Sequence, residues 1–351
     1  MRDSSIKISN HDIGKDCPVY IIAELSANHG QKIENAIDLI KLASDAGADA
    51  IKLQTYTADT ITINVESPPF TKGKGSPWEG RTLYDLYQEA YTPWEWQPKL
   101  KDIANDLGLD LFSSPFDPTS VDFLEDMRVP AYKIASFEIV DIPLIKKVAQ
   151  TGKPIIMSTG MATLAEIEEA VTTARENGCD ELALLKCTSS YPASPDQMNL
   201  MTIPHMAEAF NLPVGLSDHT LGIAVPVTAV ALGACIIEKH FTLSRSVPGP
   251  DSAFSLEPNE FKAMVDAIRT AERALGKVNY IPTEKEKGSR LNRRSLFVTM
   301  DIKKGEVFTH NNVRSIRPGY GLHTRYLSDL LGRKALKDIS RGTPMAWDLV
   351  L

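Results

Sequence analysis

LPVGLSDHT (Leu212–Thr220), LGIAVPVTAVALGA (Leu221–Ala234) and CIIEKHFTLSRSVPGPDSAFSLEP (Cys235–Pro258) follow one another without a break, and their order decides the fold. Two short β-rich runs each end in an acid and a histidine, Asp218-His219 and Glu238-Lys239-His240. The apolar stretch between them has helical character, so the three segments read as one parallel strand–helix–strand crossover. Both histidines then emerge at the same ends of neighbouring strands. Two imidazoles placed there can converge on a borderline divalent ion, with nearby carboxylates completing or orienting the shell. The plainer alternative is that each histidine is a satisfied polar residue at a strand end.

The same alternation runs through most of the chain. Strand candidates are Val19–Leu25, Ala50–Gln54, Asp110–Ser114, Ala131–Ser136, Pro154–Ser158, Leu182–Cys187, Pro213–Ser217 and Ala234–Glu238. Between them lie amphipathic segments such as Ile33–Ala46, Thr163–Asn177 and Leu221–Leu232, and Pro258–Leu275 follows the last strand. Several strands are preceded by a helix-ending Gly or Pro, as in DAGADAIKL, TGKPIIM and LGACIIE. Eight such units in about 250 residues predict a TIM (β/α)8 barrel within the α/β class. A doubly wound open sheet is the structural alternative, and no G-x-G-x-x-G follows the first strand to support it.

Composition narrows the function classes. With 351 residues, 43% hydrophobic and 24% charged, the chain can bury a sizeable core and holds a large domain and a smaller one. A net charge of -7 gives no electrostatic reason to expect nucleic acid or an anionic membrane as partner. Any anion site must be a local concentration of lysine, arginine and backbone amides. The cysteines Cys17, Cys179, Cys187 and Cys235 show neither zinc-type pairing nor the density of a secreted scaffold. The N-terminus MRDSSIKISNHDIGKD is polar, without an apolar signal core, and no apolar run approaches membrane-spanning length. A soluble cytoplasmic protein is expected.

In a barrel the carboxyl ends of the strands form the active face. Those ends carry Glu24, Asn28 and His29; Lys52 and Gln54; Ser113, Ser114 and Asp117; Lys133, Ser136 and Glu138; Ser158 and Thr159; Lys186, Ser189 and Tyr191; and the two histidine motifs. Charged groups inside apolar strands cost several kcal/mol unless paired or liganded. So many at one end predict a catalytic site. Lys52 and Lys133, with hydroxyls from Ser136, Ser158, Ser189 and Ser217, make a phosphate cradle.

The ordered run AELSANHG, KLQT, FSSPFD, YKIAS, MSTGM, CTSSYP, SDHTLG, EKHFTL and PGPDSAFSLEP resembles the sialic acid synthases. These enzymes condense phosphoenolpyruvate with an amino-sugar aldehyde to make a nine-carbon nonulosonic acid. The resemblance extends past the barrel, dividing the chain into a barrel over residues 1–282, a charged linker over 283–291 and a small β-rich antifreeze-like, or SAF, domain over 292–351. It implies that His219 and His240 ligate manganese or magnesium, and that Lys52, Lys133, Ser136, Ser158, Ser189 and Ser217 hold phosphoenolpyruvate. Gln54, Tyr191 and Asp251 go to the sugar, and Glu24, Glu138 or Glu238 to proton transfer, with Glu24 foremost. Arg317, in RPGYG, matches an arginine that caps the partner's barrel in a domain-exchanged homodimer.

Several positions depart from the neuraminic acid enzymes: Ser26, Phe137, Lys186, Ser189, the aromatic insert Trp78–Trp96 and Ser252-Ala253-Phe254. This pattern is similar to the branch that makes pseudaminic acid from a 2,4-diacetamido-2,4,6-trideoxy sugar. Neuraminic or legionaminic acid formation from a manno-configured sugar is the alternative. The trideoxy acceptor has a methyl where N-acetylmannosamine has a hydroxymethyl, so its pocket should gain apolar surface from Phe137, Phe254 or the insert. The insert's other reading is a loop packed under the barrel rim.

Overall fold

The computed structural model describes residues 5–73, 78–247 and 249–351, so the first four residues of the polar N-terminus and Pro248 of the PGPD run lie outside the described residues. The chain divides into two compact units, Met1–Gly276 and Lys277–Leu351.

The first unit opens with an antiparallel hairpin, β1 (Ser5–Ile8) and β2 (His11–Gly14). Its Ile6, Ile8 and Ile13 are buried in the main core, which makes the polar-looking N-terminal run part of the packed structure. Eight parallel strands then close a barrel: β3 (Tyr20–Glu24), β4 (Ala50–Thr55), β5 (Asp110–Pro115), β6 (Tyr132–Ile134), β7 (Ile155–Ser158), β8 (Leu182–Cys187), β9 (Val214–Asp218) and β10 (Ile236–His240), with β10 pairing β3. Every residue of β3, β5, β6, β7, β9 and β10 is buried, as expected of parallel strands covered on both faces.

Each strand is followed by a helix that lays an apolar stripe on the barrel. Ile33–Ala46 buries Ala36, Leu39, Ile40 and Ala43 and stops at Gly47, whose φ of 88° suits glycine. Pro258–Leu275 buries Phe261, Met264, Val265 and Ile268. Its first turn is held by a Glu257/Glu260 capping box. Gly215 allows β9 and β10 to approach closely, since a Cβ there would lie 2.3 Å from the Ile236 carbonyl oxygen.

In the second unit, β11 (Ser295–Val298) pairs antiparallel with β12 (Val313–Ile316). Isolated bridges such as Ile302–Ile339 and Ala335–Val350 add to a compact β-rich domain. Its separate core includes Leu296, Val298, Phe308, Val313 and Met345. Helix Glu284–Ser289 lies within the stretch expected to be a linker. Among the described residues, no helix is long and apolar enough to cross a membrane.

Candidate active site

The register of the barrel explains why its mouth is charged. Pairing puts Glu24 opposite both His240 and Lys52, and Glu238 opposite Ser217. Successive strands thereby present acid and base at one level inside the barrel. Lys52 Nζ lies 2.5 Å from Glu24 Oε2 and 3.5 Å from Glu238 Oε1. Lys133 Nζ lies 3.7 Å from Glu238 Oε1 and donates to Ser158 Oγ at 2.7 Å. Ser217 Oγ donates to Glu238 Oε1 at 3.3 Å.

Burial and pairing set the four charges apart. Burial works against charge on Glu238, but Lys133, Lys52 and His219 hold its carboxyl below the usual range. Burial and the neighbouring Glu238 charge push Glu24 up, despite its contact with Lys52. Burial lowers Lys133, whereas Glu238 and Glu24 outweigh burial at Lys52 and raise it. The two carboxyls are thus pushed apart, Glu238 towards the charged form between the two lysines and Glu24 towards the protonated one.

Lys52, Lys133 and Glu238 line a cavity of about 370 Å³ whose lining also includes Gln54, Ser136, Glu138, Tyr191, Asp251 and both histidines. His219 follows β9 and His240 ends β10, with ring centroids 5.3 Å apart. The expected strand, Ala234–Glu238, begins and ends two residues early, because Lys239 and His240 continue the ladder as buried residues. His219 Nδ1 is 3.2 Å from the Thr188 carbonyl oxygen and 3.8 Å from Cys187 Sγ. A proton on Nδ1 donated to that carbonyl leaves Nε2 with its lone pair. Burial opposes charge on His219, but the Cys187 and Thr188 contacts raise it. His240 is held well below the ordinary range by burial, with the charges of His219 and Lys52 adding to it. His240 Nδ1 is buried without a hydrogen-bond partner, and beside the second imidazole it fits a cation held by the histidine pair. Among the described residues, no group of three or more His, Cys, Asp or Glu side chains is placed to hold a metal.

A relay of hydrogen bonds joins residues far apart in the chain. Gln54 Nε2 donates to Glu24 Oε1 and to Ser26 Oγ, both at 3.1 Å, and Ser26 Oγ donates to Asp251 Oδ2. Burial raises Asp251. Glu138 is pushed up to about 7 by burial, and its Oε2 has no hydrogen-bond partner. Tyr191 packs between His219, at 4.5 Å, and Phe254, at 5.1 Å.

Ser136 and Ser189 meet at Gly160. The Gly160 amide donates to Ser136 Oγ at 3.1 Å, and a Cβ on Gly160 would fall 2.2 Å from Ser189 Oγ. Ser189 therefore stands beside the cradle, outside the cavity lining. Arg317 is exposed in the second unit, just after β12.

Other polar strand ends serve the fold. His29 packs on Trp96 and contacts Thr92, Asn28 Nδ2 donates to the Phe241 carbonyl, and Asp117 caps helix Pro118–Asp126. Lys186 Nζ donates to the Cys187 carbonyl at 2.7 Å and lies away from the cavity lining.

The aromatic insert divides between its two expected roles. Trp78, Leu86 and Tyr87 line the cavity, where Tyr87 stacks edge-on against Tyr56 at 5.5 Å and Tyr56 against Phe116 at 5.1 Å. Trp94 packs on Phe123 and donates to the Tyr56 carbonyl under the rim. Phe137 lines the cavity edge at 60% exposure, whereas Phe254 is buried outside the lining, packed on Tyr191, His219 and His240. Tyr56, Phe116 and Lys72, which lies 5.6 Å from the Trp78 ring centroid, are cavity residues that strand-end reasoning passed over.

Comparison with known proteins agrees with this architecture. A pseudaminic acid synthase of Campylobacter jejuni subsp. jejuni serotype O:23/36 is 49% identical over 93% of this chain and 95% of its own length. A pseudaminic acid synthase of Helicobacter pylori is 45% identical over 94% of this chain and 97% of its own. The crystal structure of an N-acetylneuraminic acid synthetase from Leptospira borgpetersenii, in complex with citrate, superposes with a TM-score of 0.72 at 33% identity, covering 82% of this chain and 95% of that one. The NeuB family model matches residues 39–280 and the SAF domain model residues 293–351. The charged barrel mouth and the β-rich second unit are thus those of a recognised enzyme class, and this chain belongs to the NeuB family and carries a C-terminal SAF domain.

Proposed function

We propose that this chain is a pseudaminic acid synthase: it condenses phosphoenolpyruvate with the open-chain aldehyde of 2,4-diacetamido-2,4,6-trideoxy-β-L-altropyranose and water, giving pseudaminic acid and phosphate. The observation that carries the reading is one cavity in which two lysines and several hydroxyls stand beside a histidine pair and an apolar wall. The synthases at 45% and 49% identity support the choice of acid.

Lys133, already aligned by Ser158, and Lys52 receive the phosphate, with Ser136 and Ser217 offering hydroxyls beside them. His219 and His240 would hold a divalent ion, manganese or magnesium, with its remaining positions open to substrate and water. When bound, such an ion polarises the aldehyde oxygen as a Lewis acid. Carbon C3 of phosphoenolpyruvate attacks the aldehyde carbon, water adds at C2, and phosphate leaves by C–O cleavage. Glu24, able to keep a proton, serves the water or the new hydroxyl, and the Gln54–Ser26–Asp251 relay fixes its orientation. Glu138, poised near neutrality, competes for that role, whereas Glu238 is held charged as the counter-ion of both lysines.

Charge balance ties the ligands together. Glu238 is the counter-charge that Lys52 and Lys133 share, so the pair keeps positive charge for an anionic phosphate, and a cation on the histidine pair would add to that attraction. The coupling is reciprocal, so manganese and phosphoenolpyruvate each tighten the other. Incubation with phosphoenolpyruvate, manganese and three acceptors, the L-altrose derivative and the acceptors for legionaminic and neuraminic acid, tests the reading. Products are identified by mass and NMR. Pseudaminic acid should form fastest; faster turnover of a manno-configured sugar overturns the assignment of acceptor.

A further inference from the structure

Behind the histidine pair, facing away from the cavity, lies a buried polar cluster that the proposed chemistry does not use. Lys239 and Asp218 are both fully buried, and Lys239 Nζ lies 2.5 Å from Asp218 Oδ2 while also donating to the Thr220 carbonyl oxygen. Asp218 Oδ1 accepts from the Thr220 amide at 2.9 Å, and Asp218 Oδ2 accepts from Thr220 Oγ1 at 3.1 Å. Thr220 is itself fully buried. The three residues are the immediate chain neighbours of the two histidines: Asp218 and Thr220 bracket His219, and Lys239 precedes His240.

The arrangement restrains both strand ends. A rotation of the backbone at His219 has to move Asp218 and Thr220 in opposite senses, which their mutual hydrogen bonds resist. A slide of β10 past β9 has to break the ion pair, leaving a charge buried without compensation. The β9–β10 pairing alone does not hold His219, because its registry ends at Lys239–Asp218 and His219 lies beyond it.

We propose that Asp218, Thr220 and Lys239 form a positioning clamp that holds the His219 and His240 imidazoles in the mutual orientation needed to share one divalent cation. The clamp rests on the assignment of those histidines as ligands. It touches neither substrate nor ion and acts through the backbone of its neighbours. Outer groups that orient metal ligands typically change metal affinity about 10- to 100-fold when removed.

The test compares two paired substitutions in the full-length chain. Asp218→Asn with Lys239→Met removes both clamp charges while keeping shape and the acceptor for the Thr220 amide. Asp49→Asn with Arg269→Met removes a partly buried ion pair, 3.0 Å long, that ties helix Pro258–Leu275 to the residue preceding β4, away from the histidines. Manganese binding is measured by calorimetry with manganese alone, thermal unfolding is followed in parallel, and imidazole 15N spectra are recorded without metal.

The clamp pair should bind manganese at least about tenfold more weakly and shift both imidazole spectra, while the control pair changes only stability. Manganese affinity within about twofold of wild type in the clamp pair, or equal weakening in the control pair, overturns the proposal. If the clamp pair does not fold, Thr220→Val takes its place, and an unchanged affinity there overturns the proposal equally. A wild-type chain that binds no manganese refutes the metal assignment, and the clamp is then decided by the imidazole spectra alone: unshifted resonances reject it.

Discussion

Lys133→Met isolates a single ammonium group. Methionine keeps most of the lysine stem, so the substitution removes a charge and a donor without opening a large void. The wild-type ammonium is buried beside Glu238 at 3.7 Å and oriented by Ser158 at 2.7 Å, a position that water does not screen. A hydrogen bond between charged groups is worth about 1.5–3 kcal/mol. The Coulomb attraction of unit charges about 4 Å apart is about 4 kcal/mol at an effective dielectric constant of about 20. A loss of about 3 kcal/mol lies between these figures and corresponds to about a 100-fold rise in KM for phosphoenolpyruvate. The fold should tolerate the change, because Lys52 and Ser217 still contact Glu238. Steady-state kinetics with phosphate release as readout, varying each substrate in turn, measures the effect. The reasoning is refuted if KM for phosphoenolpyruvate moves by less than about threefold, or if the sugar KM moves more.

His219→Ala or His240→Ala should abolish turnover and manganese uptake while circular dichroism remains that of the wild type; near-normal activity in either variant rules out the histidine pair as the ion's seat. Glu138 titrates at about 7 in the folded chain against an ordinary value of 4.5, so its contribution to stability is full below the ordinary value and is lost as the pH rises through about 7. Wild-type Tm should therefore fall relative to Glu138→Gln as the pH rises from 4.5 to about 7 and level off above it, and parallel Tm curves for the two proteins contradict the assignment. We propose a domain-exchanged homodimer in which Arg317 acts on the partner's barrel. Mixing inactive Arg317→Ala and His240→Ala chains should then restore activity in one of the two barrels of each heterodimer, and verified heterodimers without activity exclude action in trans.

The barrel was legible because its strands are short apolar runs punctuated by helix-ending glycine or proline, as at Gly47 before β4. The N-terminal hairpin was hidden because Ile6, Ile8 and Ile13 sit among polar residues and are buried only by the rest of the unit. The end of β10 was misplaced for a related reason: Lys239 reads as a surface residue until Asp218, on the next strand, is seen to neutralise it. Within the site, residues at strand ends could be named, since the topology brings those ends together. Their division into roles could not, because it depends on contacts between distant segments. Ser26 meets Asp251 across 225 positions, and His29, equally polar and equally close to a strand end, turns instead towards Thr92 and Trp96. Tyr56 and Phe116 lie just past strand ends whose motifs advertise other chemistry, and their role emerges only when the insert closes over them.

The divided insert separates two evolutionary tasks. Leu86, Tyr87 and Ala90 face the cavity from a helix whose start is capped by Thr82, while Trp94 and Trp96 moor the following residues to Phe123 and His29. Mutation at the cavity-facing positions can change the size and polarity of the apolar wall without disturbing the mooring. It also leaves untouched Lys52, Lys133, Glu24, Glu238 and His240, which are carried by the barrel strands, and His219, which follows β9. The apolar wall and the charged floor of the cavity thus lie on different segments of the chain, so the wall can be altered while the floor keeps its shape.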